Sequence, residues 1–446
     1  MIVLRAALKF TRLFYKVKLS QTYRLFLNWS IFILVSVSAP AQTNSNAIAD
    51  SQCLQRDLPG WLRQKLGKPE KSGVSNNNSL LLVPIIGSNP ATGFMIGVGG
   101  QFAFRLPENK RYSFLSGSIQ ATTKQQYLFL LKNTVYTRKE KFFLTGDWRF
   151  LIFSQTTYGL GTDAPKNGIL SYQYNLLGQE TTMDSLAQPM EFNFVRIHQS
   201  GGYRVAEGIY LGLGYQLDGF FKIVDQKLKM NPGDTLITAH YAYNLQYGFD
   251  TKRYLASGLN VNFIWDTRDN MIQAYKGHFL AINWRGDFTF LGSRKNVTML
   301  NVEWRSFHPF SKRNPAHQIA FWAIGQFTPK GGYPYLILPA TAYDQRSRSA
   351  RGYTQGRFRG NNYVYSEAEY RFPLTGCGGL LGGVLFLNAT TCDNPAGDLK
   401  LFQSIQPGYG FGLRVMLDKA SRSNLCADFG FGKQSAGFYL AVSETF

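Results

Sequence analysis

From residue 80 onward, the chain is a succession of segments of about ten to fourteen residues in which apolar and polar side chains alternate. In KFFLTGDWRFLIF, residues 141–153, most of the positions that alternate from Phe142 are apolar, and Asp147 and Arg149 stand on the other face. Because successive side chains of a β-strand point to opposite faces, such a segment has one apolar face and one that meets water. Strands of soluble sandwiches are usually about five or six residues long, whereas about ten residues suit a tilted strand that crosses a membrane.

About sixteen such segments are present, and their connections differ in length. The segments are 80–87, 93–106, 111–124, 126–138, 140–153, 190–204, 207–222, 254–267, 277–291, 295–308, 316–329, 361–374, 381–391, 405–418, 423–433 and 437–446. If the first segment enters from the periplasm, the long connections 154–189, 223–253 and 330–360 all lie on the outer side, as is typical of outer-membrane barrels. We therefore predict an all-β fold: a closed transmembrane antiparallel β-barrel of about 16 strands over residues 80–446, with both ends periplasmic.

The first 41 residues have the three parts of a secretory signal peptide. Six lysines and arginines and no acidic residue precede a short apolar run at 29–38, and Ala39-Pro40-Ala41 supplies a cleavage site. A membrane anchor is the alternative, but the apolar run is shorter than the ~18 residues that suggest a spanning helix. Residues 42–79 are then a short periplasmic segment, too short for a folded domain without disulfides or a metal.

The composition narrows the classes of partner and of chemistry. The 446 residues carry a formal net charge of +21, and in an exported protein this favours anionic lipids, including lipopolysaccharide, over nucleic acid as partners. The four cysteines match no zinc motif and the five histidines are scattered, so we predict no metal, cofactor or catalytic residue. We expect that the protein is not an enzyme. An outer-membrane hydrolase needs a serine–histidine pair at a strand rim, and the sequence around the histidines does not indicate such a pair.

The connection 330–360 is the most unusual of the long ones, since it combines five glycines with five arginines. The strand after it carries Glu367, Glu369 and Arg371 on one face, which must line the lumen because carboxylates facing lipid are costly. If this loop folds inward, it can bring an arginine to one of the glutamates as a bidentate pair. A basic loop exposed to solvent is the alternative.

Three stretches of the sequence resemble one family of barrels. They are ARGYTQGRFRGNNYVYSEAEYRFPL in the loop and the strand after it, GLNVNFIWDTRDNMIQAYKGHFLAINWRG upstream, and GFYLAVSETF at residues 437–446. They resemble the bacterial surface antigen barrel of the outer-membrane protein assembly (Bam- and Tam-type) and two-partner secretion superfamily. The resemblance implies a sixteen-stranded barrel whose Arg-Gly-aromatic loop enters the lumen, where its arginine pairs with acids of the inner wall.

Carried over residue by residue, the resemblance implies a loop latch. Its tip is Arg351, with Gly352 and Tyr353, and Glu369 is the acidic partner. Asn388 stands where the FxDxG pattern of the next strand has an acid, which removes one charge from the inferred network. The possible further lumen partners are Glu367, Asn388, Arg414 and Asp428.

Two functions remain open for such a barrel. The family's barrels usually follow periplasmic POTRA domains, which residues 42–79 are too few to form, so we expect a barrel-only member. It either aids insertion or export of proteins or lipids at the bacterial outer membrane, with unfolded outer-membrane proteins as clients or a periplasmic partner that supplies the missing domains, or it is a passive transport pore or structural surface protein. Phe446, an aromatic residue that ends an alternating segment, is the predicted assembly signal.

Overall fold

A computed structural model of the chain describes residues 56–67, 78–89, 93–163, 175–176, 179–180, 187–232, 234–311, 314–376, 379–394 and 398–446. The predicted signal peptide, with Ala39 and Ala41, lies outside these residues, as does most of the predicted segment 42–79. Ahead of the barrel, the described residues form one helix, α1 (Leu58–Lys65), whose N-terminus is capped by the Asp57 side chain.

Sixteen antiparallel strands form one sheet, and each strand pairs with the strands before and after it in the chain. They are β1 (Asn78–Asn89), β2 (Gly93–Phe104), β3 (Ser113–Thr122), β4 (Tyr127–Tyr136), β5 (Phe142–Thr157), β6 (Gln188–Ala206), β7 (Ile209–Asp225), β8 (Tyr254–Asp266), β9 (Gly277–Asp287), β10 (Val297–Pro309), β11 (Gln318–Lys330), β12 (Tyr363–Pro373), β13 (Leu381–Cys392), β14 (Gln406–Asp418), β15 (Ser423–Gly432) and β16 (Ser435–Val442). Each predicted segment corresponds to one of these strands, so the predicted antiparallel barrel is confirmed.

The barrel is nearly closed rather than fully closed. Hydrogen-bonded ladders join all neighbours from β1 to β16, but within the described ranges no ladder joins β1 to β16. A contact between the Gln101 side chain and Ser423 Oγ, at 3.1 Å, still links β2 to β15 across this seam. Pro84 in β1 has no backbone N–H to donate, which is typical of an edge strand. The predicted sixteen-stranded antiparallel barrel is therefore confirmed as nearly closed, with this side-chain contact across its first and last strands.

Strand β16 is shorter than the predicted segment 437–446, because the residues after Val442 turn into the lumen. Glu444 accepts a hydrogen bond from Arg414 Nε at 2.8 Å. The ring of Phe446 is buried and stacks on Trp322 with 5.3 Å between ring centroids, and the Arg371 guanidinium lies 5.0 Å from the Phe446 ring. Residues 443–446, which were predicted to continue the strand, thus form a buried ion pair and an aromatic contact in the lumen instead.

The two faces of the strands separate apolar from charged residues, as the alternation predicts. On β12 the inward-facing Glu367, Glu369 and Arg371 are buried, while Tyr370 points outward and is exposed. Large exposed apolar side chains recur around the outer surface, among them Leu82, Ile96, Val98, Ile119, Leu213, Leu259, Val261, Leu387, Phe411 and Leu440. An apolar band of this extent is unusual on a monomer in water and is typical of a lipid-facing barrel surface.

The three longest connections, 158–187, 226–253 and 331–362, all leave the same end of the barrel, called here the long-loop end. The second of them contains α2 (Ala239–Gln246), capped by Thr238, and a short hairpin of Lys229–Asn231 with Asp234–Leu236. The first contains a hairpin of Asn175–Leu176 with Gln179–Glu180. No helix in the described part of the chain is long and apolar enough to cross a bilayer.

At the opposite, short-turn end, the connection 267–276 folds inward, which the sequence reasoning did not anticipate. Most of its residues are buried. Arg422 Nη1 donates to Asp269 at 2.6 Å, and the Arg422 guanidinium lies 4.2 Å from the ring of Tyr275. Gln318 donates to the Ala274 carbonyl at 3.0 Å. The lumen is therefore narrowed from both ends, by 267–276 and by 331–362.

We predict that Phe446→Ala lowers the stability of the folded barrel, because it removes the contact with Trp322 and leaves a cavity. Truncation of a buried phenylalanine typically costs about 3–5 kcal/mol. The measurement is the urea midpoint of the folded barrel, read by heat-modified gel mobility. Phe438→Ala, which truncates an outward-facing ring of β16, is the matched control. Equal shifts in both variants would contradict the inward position of Phe446.

Candidate functional site

The candidate site is the lumen region where the tip of connection 331–362, called the lumen loop, meets the inner wall of β12 to β16. Backbone bonds join the two limbs of the loop, with Thr341 N donating to Phe358 O at 2.9 Å and an isolated bridge between Ala340 and Arg359. Arg359 Nη1 donates to the carbonyls of residues 335, 336 and 338 at 2.9–3.1 Å, and so satisfies a short 3-10 turn at Tyr335–Ile337. These bonds hold the loop as a compact finger inside the barrel.

Arg351 lies at the tip of the lumen loop and is 1% exposed. Its Nε and Nη2 atoms donate to the two carboxylate oxygens of Glu367 at 3.2 and 2.7 Å, a bidentate pair. Nη2 also contacts Glu369, and Nη1 donates to Asp428 Oδ2 at 2.7 Å. The ring of Phe386 lies 3.7 Å from the guanidinium carbon. One guanidinium therefore joins the loop to β12, β13 and β15.

Two arginines of the wall extend this contact into a buried network. Arg414 contacts Asp428 at 2.5 Å and Glu444 at 2.8 Å. Arg371 Nε donates to Glu369 Oε2 at 2.7 Å. The network thus holds three guanidiniums, Arg351, Arg371 and Arg414, and four carboxylates, Glu367, Glu369, Asp428 and Glu444, all buried. Removal of one member of such a network leaves an opposite charge buried without compensation, which is strongly destabilising.

The residues proposed for the latch come together at this place. The Arg351–Glu369 contact is present, and Glu367 is the bidentate partner. Asn388 Nδ2 donates to the carbonyl of Arg351 at 3.0 Å, so the side chain at this position holds the backbone of the tip instead of adding a charge. Tyr353 OH donates to Pro407 O at 2.6 Å and accepts from Lys433 N at 3.0 Å.

Gly352 occupies a backbone conformation with φ of 102°, which favours glycine. Its N–H donates to Tyr439 OH at 2.9 Å. The tip rests against Gly430 of β15, where an added Cβ would lie 2.7 Å from Gly352 N. The ring of Tyr353 covers Gly432, where a Cβ would meet the Tyr353 ring at less than 3 Å. A wall without side chains at these positions is what admits the loop.

The sequence analysis did not identify Gly430 and Gly432 as the surface on which the loop tip rests. It also did not include Glu444, Tyr439 and Arg371 in the site. The sequence does contain a signal for these two glycines. In the stretches YGFGLRV and DFGFGK, glycines occupy the same alternating face as Arg414 and Asp428. Small residues on a lumen face beside charged ones indicate that another part of the chain approaches closely.

A serine–histidine cluster lies elsewhere on the barrel, although the sequence analysis did not indicate such a pair. Ser306 Oγ is 3.0 Å from His278 Nδ1 and 2.5 Å from His308 Nε2. Ser306 is fully buried, and across the described residues neither imidazole contacts a carboxylate that would orient it. Among all the residues that the structure describes, no group of three or more His, Cys, Asp or Glu side chains could hold a metal ion. His278 is 28 residues from Ser306 in the sequence, whereas His308 is only two residues away, at an i, i+2 spacing that a strand places on one face.

We predict that Asn388→Asp loosens the lumen loop, although it restores the acid of the FxDxG pattern. The change removes the donor to the Arg351 carbonyl and places a carboxylate beside Glu367, and leaving such a buried acceptor unpaired costs about 1–3 kcal/mol. Trypsin cleavage of the loop in the folded barrel should become faster. Asn283→Asp adds the same charge on the lumen face of β9, where the amide forms hydrogen bonds with Asn262 and Asn301. Unchanged cleavage in Asn388→Asp, or equal acceleration in both, would contradict this role.

We predict that Gly430→Val expels the loop tip, because its side chain would occupy the space of the Gly352 backbone. Arg351 would then be labelled from outside by a membrane-impermeant, arginine-reactive glyoxal. Gly332→Ala in the same loop is the control, since a Cβ there would meet nothing within 4 Å. Protection of Arg351 in Gly430→Val equal to that in Gly332→Ala would show that the tip does not rest on β15.

Comparison with known proteins gives one family. The model of the Omp85 superfamily domain matches residues 198–446, more than half of the chain and all of β7 to β16 with the lumen loop. Comparison with curated protein sequences gives no match. Barrels of this superfamily are outer-membrane proteins with a general role in protein assembly or secretion at that membrane.

Two solved structures are similar at low identity. BamA from Haemophilus ducreyi, crystallised without POTRA domains 1-3, aligns with a TM-score of 0.48 and 14% identity over 82% of this chain and 70% of that one. CdiB from Acinetobacter baumannii aligns with a TM-score of 0.46 and 13% identity over 82% of this chain and 59% of that one. On the match of the family model, the chain belongs to the Omp85 superfamily.

Proposed function

We propose that the protein is an integral outer-membrane barrel that aids insertion or export of protein clients, rather than a passive pore. The observation that carries this proposal is the lumen loop held by Arg351. Burying a network of seven charged groups costs desolvation free energy, and a simple channel does not need such a network. The clients are unfolded outer-membrane proteins, and a periplasmic partner that delivers them belongs to the same proposal. The surrounding outer-membrane lipid and lipopolysaccharide are proposed as contacts of the apolar band.

The filling of the lumen disfavours the passive-pore alternative. Tyr335, Leu336 and Phe358 of the loop are fully buried, so apolar side chains occupy space that a water-filled channel would need. From the short-turn end, Met271 and Ile272 of the inward connection are also buried. A channel for small solutes therefore requires two separate rearrangements.

The seam between β1 and β16 supports a role with protein clients. Each of these strands pairs on one side only within the described residues. Unpaired backbone N–H and C=O groups of an edge strand are a template on which another extended chain can add. A client segment that alternates apolar and polar residues suits this edge, because its apolar face would join the lipid-facing band.

We predict that the full chain, reconstituted in phospholipid vesicles, accelerates the folding of a small urea-unfolded outer-membrane barrel that is added from outside. The fraction of folded client is read over time from heat-modified gel mobility. Vesicles that contain an equal amount of a folded porin are the control for nonspecific bilayer defects. Folding no faster than in the control, together with a steady open conductance of the reconstituted protein, would favour the passive pore and contradict the proposed function.

A further inference from the structure

The barrel interior contains a cavity of about 720 Å³ beside the lumen loop, and Glu444 of the Arg351 network is part of its lining. Its walls come from the lumen faces of β1 to β11, from residues 336–339 and 343–348 of the loop, and from residues 440–445 at the end of β16 and just after it. A volume of this size is within the range of small-molecule sites. Its lining carries seven lysines and arginines, which are Lys132, Arg196, Arg268, Arg285, Arg305, Arg346 and Arg348, against the five acids Asp147, Asp218, Glu303, Asp344 and Glu444.

A tight turn of the loop presents two of these arginines to the cavity. The carboxylate of Asp344 accepts hydrogen bonds from the backbone N–H groups of Arg346 at 2.8 Å, Arg348 at 3.2 Å and Ser349 at 2.9 Å. Between the two arginines, Ser347 has a φ of 59°, a strained value for a residue with a side chain. The single acid of this turn is thus used to shape the backbone, and it forms no ion pair with either arginine.

Among the residues that the structure describes, neither arginine lies within salt-bridge distance of a carboxylate. Arg346 Nη1 donates to the carbonyl of Thr445 at 3.2 Å, and Arg348 Nη1 donates to that of Ser443 at 3.4 Å. A guanidinium has five N–H donors, so most donors of both residues are left for the cavity. Lys132, on the lumen face of β4, lies in the same lining, and over the described ranges none of the three forms a salt bridge.

The other charged groups of the lining are already paired. Arg196 and Arg285 contact Asp218, each at 2.6 Å. Arg305 contacts Glu303, and Arg268 contacts Asp266 at 2.9 Å. Asp147 pairs with Arg149 at 2.5 Å, and Glu444 pairs with Arg414. Lys132, Arg346 and Arg348 therefore line one cavity, and among the described residues none of them is in direct ion-pair contact with a carboxylate.

We propose that this cavity binds a phosphate-class oxyanion between Arg346, Arg348 and Lys132. The planar guanidinium fork matches two phosphate oxygens, and the lysine adds a point charge. Like charges held together in a lumen, where screening by water is weaker than in bulk, attract a multivalent anion more strongly than they attract chloride. The three side chains are not members of the Arg351 network, although Glu444 of that network also lines the cavity. The proposal does not depend on the role of the barrel with protein clients.

Two sources of the phosphate fit the position of the cavity. Its lining includes Val83 and Ile85 of β1 and Leu440 and Val442 of β16, the two strands at the seam. A soluble phosphate compound reaches the cavity through the lumen, whereas the headgroup of an anionic phospholipid reaches it through the seam. The chemistry at the three cations is the same in both cases.

The test uses the purified full chain in detergent, titrated with inorganic pyrophosphate by calorimetry at low ionic strength. In a second arm, phosphatidylglycerol retention from mixed detergent–lipid micelles is measured by native mass spectrometry. We expect the double variant Arg346→Gln/Arg348→Gln to weaken binding at least about tenfold, and the double lysine variant to lose less because it keeps the charge without the fork. Arg253→Gln, an exposed arginine at the long-loop end, is the matched control and should bind as the unaltered protein does.

Binding of pyrophosphate that depends on the two arginines supports a soluble source, and retention of phosphatidylglycerol with the same dependence supports a headgroup. Lys132→Gln on the barrel wall gives an independent variant that leaves the loop intact, and it should weaken binding in the same arm. Absence of both kinds of binding, or equal binding by the double glutamine variant and Arg253→Gln, would overturn the site.

Discussion

The arrangement of the lumen depends on one buried guanidinium. Arg351 is the point where a long loop and three strands of the wall meet, and each of its donors faces a carboxylate that is itself removed from water. An isolated buried charge is unstable, and only good geometry with several partners offsets the desolvation. The loop, β12 and β15 therefore form a single cooperative unit, because loss of one charged partner leaves the remaining charges buried without compensation.

The neutral parts of the site follow from that constraint. A guanidinium can reach Glu367 and Asp428 only if the backbone of the tip approaches the wall, and Gly352 and Gly430 permit that approach. Asn388 then binds the tip carbonyl at 3.0 Å instead of supplying a fourth acid close to Arg351. The inward turn of residues 443–446 adds Glu444 to the same network, so the edge strand β16 and the latch are connected.

The alternation of the sequence predicted the number and order of strands, because the lipid-facing and lumen-facing environments select side chains with a period of two. Family resemblance predicted Arg351 and Glu369. Much of what the pattern did not predict depends on contacts between distant parts of the chain: the inward connection 267–276, the approach of His278 to Ser306 and the turn of the residues after Val442 into the lumen. Glu444 stands at the alternating position of Phe438, Leu440 and Val442, so a carboxylate interrupts the apolar face at the point where the strand ends. The prediction of a strand up to Phe446 did not use this local signal.

The most direct measurement is a double-mutant cycle between Arg351 and Glu367, read by hydrogen exchange of the backbone amides of residues 340–360 in the folded barrel. Arg351→Ala and Glu367→Ala should each increase exchange in the loop, since each leaves charges of the opposite sign poorly compensated. The double variant should be little worse than either single one, with a coupling energy of about 1–3 kcal/mol. Single effects that add to within about 0.5 kcal/mol would contradict the latch, because they would show that the two side chains act independently.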